Sequence, residues 1–156
     1  MKDVVGAFPQ AQLLIVGDGK EKENLLRQVN KLNISGNIIF HPQVYDINEV
    51  LSVMDIFVMP SLKEGLGLSL MEAMGSGLAV VGSDIGGIKS LIQDGYNGFM
   101  VKPADASGLA VKILTLLRDN DKRQMLGQRA REFILRNFPQ SKTIIETEGV
   151  YAQCLK

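Results

Sequence analysis

The chain has no tryptophan, one cysteine and one histidine among its 156 residues, and its 17 basic residues are cancelled by 17 acidic ones. Each shortage closes a class of function. The single thiol, Cys154, cannot form an internal disulfide, so no cystine framework holds the fold. The single imidazole, His41, cannot build a histidine metal cluster, and no metal is expected. With no net charge there is no overall field to draw in nucleic acid. Long apolar runs are missing too: the stretch from Leu66 to Gly82 is broken by Glu72 and several glycines, short of the ~20 residues that span a bilayer. The N-terminal MKDVVGAFPQ lacks the apolar centre of a signal peptide, which makes the cytoplasm the expected compartment.

What is present is the composition of a folded domain. Hydrophobic residues make up 46% and charged residues 22%, and the length suits one core. Residues 1–78 hold nine acidic and six basic side chains, whereas 79–156 hold eight and eleven, an excess carried largely by Lys122, Arg123, Arg129, Arg131 and Arg136. At helical spacing that run reads as a solvated helix face. The seven methionines fall on apolar faces and read as core filler.

Short apolar runs alternate with helical patterns, the rhythm of a mostly parallel sheet covered on both faces. The fold class expected is α/β, a Rossmann-like doubly wound sheet. Strands are expected at Gln12–Val16, Asn37–Phe40, Ile56–Met59, from Leu78, and from Gly98. Helices are expected at Lys20–Leu32, Asn48–Val53, Leu66–Gly77, Ala106–Leu117, Lys122–Asn137 and Ser141–Gln153. Gly17-Asp18-Gly19 reads as a tight strand-to-helix turn, because the third glycine of a dinucleotide fingerprint is replaced by Lys22. Asp119 and Asp121, between two helices, read as capping residues, and Asp84 as a turn former.

The chemistry concentrates in PSLKEGLGLSLMEAMGSG, from Pro60 to Gly77. A strand ends at Pro60, a loop carries Glu64, and Gly65 and Gly67 flank a helix start. Glycines let backbone approach a ligand closely, and the free N–H groups and dipole of a helix start favour phosphate. Leu68, Leu70, Met71, Ala73 and Met74 make this helix apolar nearly all round, so Glu72 is expected to be buried and to need a partner. Two partners stand open: a diol such as a ribose, or a neighbouring cation or backbone N–H.

Glu64 and Glu72 are separated by seven residues, preceded by Pro60-Ser61 and followed by Gly75 and Gly77. This block resembles the signature of the group 1 (family 4) retaining glycosyltransferases. LLIVGDG, DIFVMPS from Asp55, VVGSDIGG from Val80 and DGYNGFMVKPAD from Asp94 resemble the family's other blocks, in its order, from about Phe8 to Phe138. The resemblance implies the GT-B fold, with residues 1–156 similar to its C-terminal, nucleotide-sugar-binding domain and 139–156 a helical extension. It also implies that Glu72 takes the ribose hydroxyls and that Glu64 lies against the transferred sugar. Backbone N–H groups around Gly65, Leu66, Gly67 and Leu68 would meet the sugar and diphosphate, with Gly17 also in the donor site and the loop from His41 to Val44 beside the base. No cofactor is implied beyond the donor itself, a UDP or GDP sugar first. The implied partners are an acceptor-binding N-terminal domain outside this chain and, for the full enzyme, a peripheral membrane association. The sequence departs from the family at Ser90, where a Glu is usual, at Pro42, where a Gly is usual, and in lacking a clear match to a basic Arg and Lys pair.

In the strand order 3-2-1-4-5-6 the first strand is central, and the family places one before LLIVGDG that has no counterpart here. Gln12–Val16 and Ile56–Met59 are therefore expected to pair directly, or to leave apolar edges through which the chain dimerises.

Overall fold

The computed structural model describes residues 1–154, and its strands are short runs of Leu, Ile, Val and Phe: β1 (Leu13–Val16), β2 (Ile38–His41), β3 (Ile56–Met59), β4 (Ala79–Ser83) and β5 (Phe99–Val101). They form two parallel sheets, β1-β2 and β3-β4-β5, in registers that begin with Leu13 opposite Ile38 and Ile56 opposite Ala79. The helices are α1 (Lys2–Ala7), α2 (Lys22–Lys31), α3 (Ile47–Leu51), α4 (Leu68–Gly75), α5 (Gly86–Leu91), α6 (Ala106–Arg118), α7 (Asn120–Asn137) and α8 (Gln140–Cys154). Among the described residues, no helix is long and apolar enough to cross a membrane.

The core is organised by β4, whose five residues are all buried. Side chains alternate across a strand, and here the alternation divides the core in two. Val80 faces a cluster with Leu70, Ala73 and Met74 of α4, Ile88 and Leu91 of α5 and Ala130 of α7. Ala79 and Val81 face the other way, onto Phe99, Val101, Leu116 and Leu126. Helices thus cover both faces of β4, the doubly wound arrangement expected. Asp119 caps α7, accepting the Lys122 N–H at 2.9 Å, and Asp105 caps α6, accepting the Gly108 N–H at 2.8 Å. Those two bonds satisfy donors that a helix start leaves free. The Gly108 N–H first, and then the Ser107 hydroxyl, hold the Asp105 carboxyl below its ordinary range. Arg123 of the basic run reaches Asp55 at 3.4 Å.

The expected strands and helices are found within one or two residues of their ends, and among the described residues two further α-helices appear. In α1, Val4 is 1% exposed and its helix packs against α6. In α5, Ile88 and Leu91 are buried.

The expected direct pairing of β1 with β3 does not occur. Hydrogen bonding joins β1 to β2 and β3 to β4, and β1 and β3 belong to separate sheets. Between them lies a cavity of about 570 Å³ lined by residues that include Leu13 and Leu14 of β1, Phe57 of β3, Val4 and Phe8 at the N-terminus and Leu117 of α6. The physical reason is the anchoring of α1: with Val4 buried against α6, the short link from Phe8 into β1 sets where that strand lies. All four residues of β1, and all four of β3, remain only half-buried.

In a parallel sheet a strand directs alternate residues to its two neighbours. In β1 and β3 every second amide therefore faces the cavity and should exchange with solvent much faster than its flanking residues, whereas β4, paired on both sides, should be protected along its length. Native-state hydrogen exchange read residue by residue checks this. Uniform protection along β1 and β3 would mean that the two edges are paired.

Candidate functional site

Pro60 follows β3 directly and has no N–H to continue the ladder, so the chain leaves the sheet there. The loop then runs to Gly67, the residue before α4, whose backbone is left-handed at φ 72°. Glycine adopts that conformation without the clash a Cβ brings. Its carbonyl accepts the Met71 N–H at 3.0 Å, the first bond of the helix.

Glu64 curls back over this turn. Its Oε1 accepts the N–H of Gly65 at 3.2 Å and of Gly67 at 3.3 Å, so two backbone donors of the loop converge on one anionic oxygen. The loop's inner side is held by backbone as well: the Gly87 N–H at the start of α5 donates to the Glu64 carbonyl at 3.3 Å. This contact, between the Pro60–Gly67 loop and the Gly86-Gly87 pair, was not anticipated beyond the resemblance of VVGSDIGG to a family block. The spacing of Ile85, Ile88 and Ile92, around the two glycines, is the signal that could have placed a short helix there.

Glu72 is exposed, which corrects the expectation of a buried carboxylate. The helix α4 buries Leu70, Ala73 and Met74 and turns Leu68, Ser69 and Glu72 to solvent. An apolar residue on the wet face, Leu68 at 64% exposure, is what made the helix look apolar all round. Among the described residues no ion pair includes Glu72. Side chains on a helix lean toward its N-terminus, so from one turn inside α4 the Glu72 carboxylate leans over the turn that holds Leu68 and Gly67.

Gly17 and Val44 lie at the ends of the other sheet. The Gly17 N–H donates to the His41 carbonyl at 2.9 Å, setting the loops after β1 and β2 side by side. Asp18 ties them together: it pairs with Lys22 at 2.8 Å and accepts the Gln43 N–H at 3.4 Å. The bond from Lys22, followed by that from Gln43, lowers its carboxyl below the ordinary range. The chain turns into α2 from Gly19, whose carbonyl accepts the Lys22 N–H at 3.1 Å. Val44 is half-buried and His41 exposed, with Nδ1 2.9 Å from the Pro42 carbonyl. Glu64, Gly65, Leu66, Gly67, Leu68 and Glu72 are brought together on one loop and the first turn and a half of one helix, while Gly17 and Val44 form a second group on the β1-β2 side. Asp84 pairs with Lys89 at 3.0 Å, and Ser90 turns its hydroxyl onto the Gly87 carbonyl at 2.6 Å. Among the described residues no three His, Cys, Asp or Glu side chains could together hold a metal ion.

Residues 1–133 match the family described as glycosyl transferases group 1. An N-acetyl-alpha-D-glucosaminyl L-malate synthase from Bacillus anthracis is 34% identical over 162 aligned residues, which take in 100% of this chain and 42% of that protein. Among solved structures, a sucrose-phosphate synthase from Thermosynechococcus elongatus superposes with a TM-score of 0.88 at 29% identity, over 99% of this chain and 42% of that one. An Anabaena HepE in complex with UDP does so with a TM-score of 0.85 at 26% identity, over 95% and 44%. The chain thus spans less than half the length of each of these proteins.

Gly67 offers a direct test of the turn. A Cβ there meets only ordinary contacts, the nearest at 3.6 Å, so the cost of Gly67→Ala lies in the backbone conformation alone. It should lower the unfolding free energy by about 1–2 kcal/mol, measured by urea denaturation. Gly65→Ala, with nothing within 4 Å of its Cβ, should stay within about 0.5 kcal/mol of the wild type.

Proposed function

This chain belongs to the group 1 glycosyltransferase family, and from that premise we propose that it is the donor-binding domain of an enzyme that moves a hexosyl group from a nucleoside-diphosphate sugar to an acceptor, with retention of anomeric configuration. The observation that carries this reading is the convergence of the Gly65 and Gly67 N–H groups on one carboxylate oxygen, one helical turn from a second, solvent-facing carboxylate. Donors that gather around an anionic oxygen can gather around a phosphate oxygen in its place.

On this reading the roles divide by chemistry. Glu72 accepts hydrogen bonds from the two ribose hydroxyls, as two carboxylate oxygens can. The N–H groups from Gly65 to Leu68 meet the diphosphate and the sugar. Glu64 swings off its own loop to take hydroxyls of the transferred sugar, and the loop from His41 to Val44, with Gly17 beside it, lines the base. Cleavage of the sugar–phosphate bond leaves negative charge on the diphosphate and positive charge at the anomeric carbon. Fixed N–H dipoles stabilise the departing diphosphate most when its charge is greatest, so they lower the barrier as well as bind. The acceptor is held by a further domain, and the chain alone does not turn over. In isolation its open β1 and β3 edges favour pairing with a second copy.

A second reading, a nucleotide-sugar-binding module without catalysis, is favoured by one observation: Ser90, whose hydroxyl donates to the Gly87 carbonyl at 2.6 Å, stands where the family usually has a Glu. Calorimetry with UDP, GDP and ADP and with their sugar conjugates tests both. The UDP bound in the Anabaena HepE structure makes uridine nucleotides the first choice. Glu72→Ala should weaken the bound nucleotide about tenfold to a hundredfold, the worth of one or two hydrogen bonds to a charged group. Failure of every nucleotide to bind at millimolar concentration would end the donor reading, and binding without transfer once an acceptor domain is supplied would leave the module.

A further inference from the structure

The donor reading gives the loop's N–H groups a task, and the inference made here rests on it and concerns what aims them. Two carbonyls of the loop, those of Glu64 and Gly65, face the opening of α5. A Cβ added to Gly86 would stand 3.0 Å from the Glu64 carbonyl oxygen. One added to Gly87 would stand 1.9 Å from the Gly65 oxygen, 2.6 Å from its carbonyl carbon and 3.1 Å from the Leu66 Cα. These neighbours are backbone and cannot rotate aside as a side chain can. The loop therefore rests on α5 at a distance that only glycine permits.

The contact fixes more than position. A trans peptide is a rigid plane with its C=O and N–H pointing opposite ways, and no cis peptide bond occurs among the described residues. With the Glu64 carbonyl turned in toward α5, where the Gly87 N–H meets it, the Gly65 N–H turns out. With the Gly65 carbonyl turned in, the Leu66 N–H turns out in the same way. The Gly65 N–H accordingly reaches the Glu64 carboxylate on the outer side of the loop. We propose that Gly87, assisted by Gly86, is a positioning residue for the diphosphate site: its missing side chain lets two inward carbonyls seat on α5, and so aims the N–H groups of Gly65 and Leu66 at the donor. Gly87 touches no substrate and acts through the loop.

The decisive comparison sets Gly87→Ala against Gly127→Ala. Gly127 is as crowded, its Cβ falling 2.1 Å from the Gly77 carbonyl oxygen, but it belongs to α7 and not to this loop. Amide spectra of the chain are titrated with UDP and with UMP, whose difference isolates the second phosphate. Gly87→Ala should shift the Gly65 and Leu66 amide resonances without ligand and weaken UDP by about tenfold, the worth of one lost hydrogen bond to a charged group, while UMP changes little. Gly127→Ala should lower the melting temperature and leave the ratio of UDP to UMP affinity unchanged. If Gly87→Ala does not fold, Gly86→Ala carries the same test with a smaller displacement and the same pattern. A chain that binds UDP and keeps its affinity ratio in both loop variants, or shows unmoved Gly65 and Leu66 amides, overturns the aiming role alone. If the chain takes GDP or ADP instead, the matching diphosphate and monophosphate pair replaces UDP and UMP, and a wild-type chain that binds none of the three diphosphates overturns the donor reading and this role with it.

Discussion

Backbone pressed against backbone, with no side chain between, sets the geometry at the carboxyl end of β3 and β4. The loop after Pro60 lies on the first residues of α5, and α5 is held in turn by Ile88 and Leu91, both fully buried in the cluster that includes Val80 and Leu70. A packed core has few alternative arrangements, so the position of α5 is inherited by the loop. The loop's N–H groups are thus oriented by the hydrophobic core two layers away, through a chain of contacts that contains no charged side chain. Such an arrangement needs no reorganisation when charge develops on a bound phosphate, which is the condition under which fixed dipoles stabilise most.

The two sheets differ in how completely they are built. The three-stranded sheet has a central strand buried at every position, while β1 and β2 pair only with each other. The apolar cavity between β1 and β3 leaves half-buried the kind of Leu, Ile, Val and Phe run that a parallel sheet ordinarily covers on both faces. The loop and helix carrying Glu64 and Glu72 belong to the complete side. Gly17 and Val44 belong to the incomplete one, joined to its neighbours through the Asp18 tie. The stability of the two groups therefore has different sources: core packing for the first, local hydrogen bonds and an exposed ion pair for the second. Exposed ion pairs contribute little, so the group with Gly17 and Val44 is the less firmly held of the two.

Much of this was legible in the residues. The strand Ile56–Met59 stands where its apolar run and Pro60 put it, and β4, a run of Ala, Val and Gly, is as buried as a central parallel strand should be. The Glu64 to Gly77 block and its order among the others pointed to the family that residues 1–133 match. What was illegible depended on tertiary context. The helix α1 is six residues long, too short to declare itself by periodicity, and is stabilised by one buried valine against α6. The helix α5 begins with two glycines, poor helix formers that are required by what lies above them. Direct closure of β1 on β3 failed because nothing in the pattern of either strand reports the anchoring of the helix before β1. Glu72 was misjudged because an apolar residue at 68 was counted as core, when apolar residues on the surface are common.

That last correction bears on function. A carboxylate sealed in the core would need a permanent partner, because an unpaired buried charge is costly, and a group already satisfied has nothing left to offer a ligand. At the surface the Glu72 carboxylate keeps its solvation and can exchange water for hydroxyl donors at little cost. Its neighbours point the same way. Leu66 and Leu68 are 50% and 64% exposed beside it, apolar faces set next to free polar groups, which is the mixture that ligand sites present: apolar surface to exclude water and a few polar atoms to fix orientation. An exposed acid, on a helix that opens at a turn carrying two exposed leucines, suits a partner that arrives and leaves better than a buried one would.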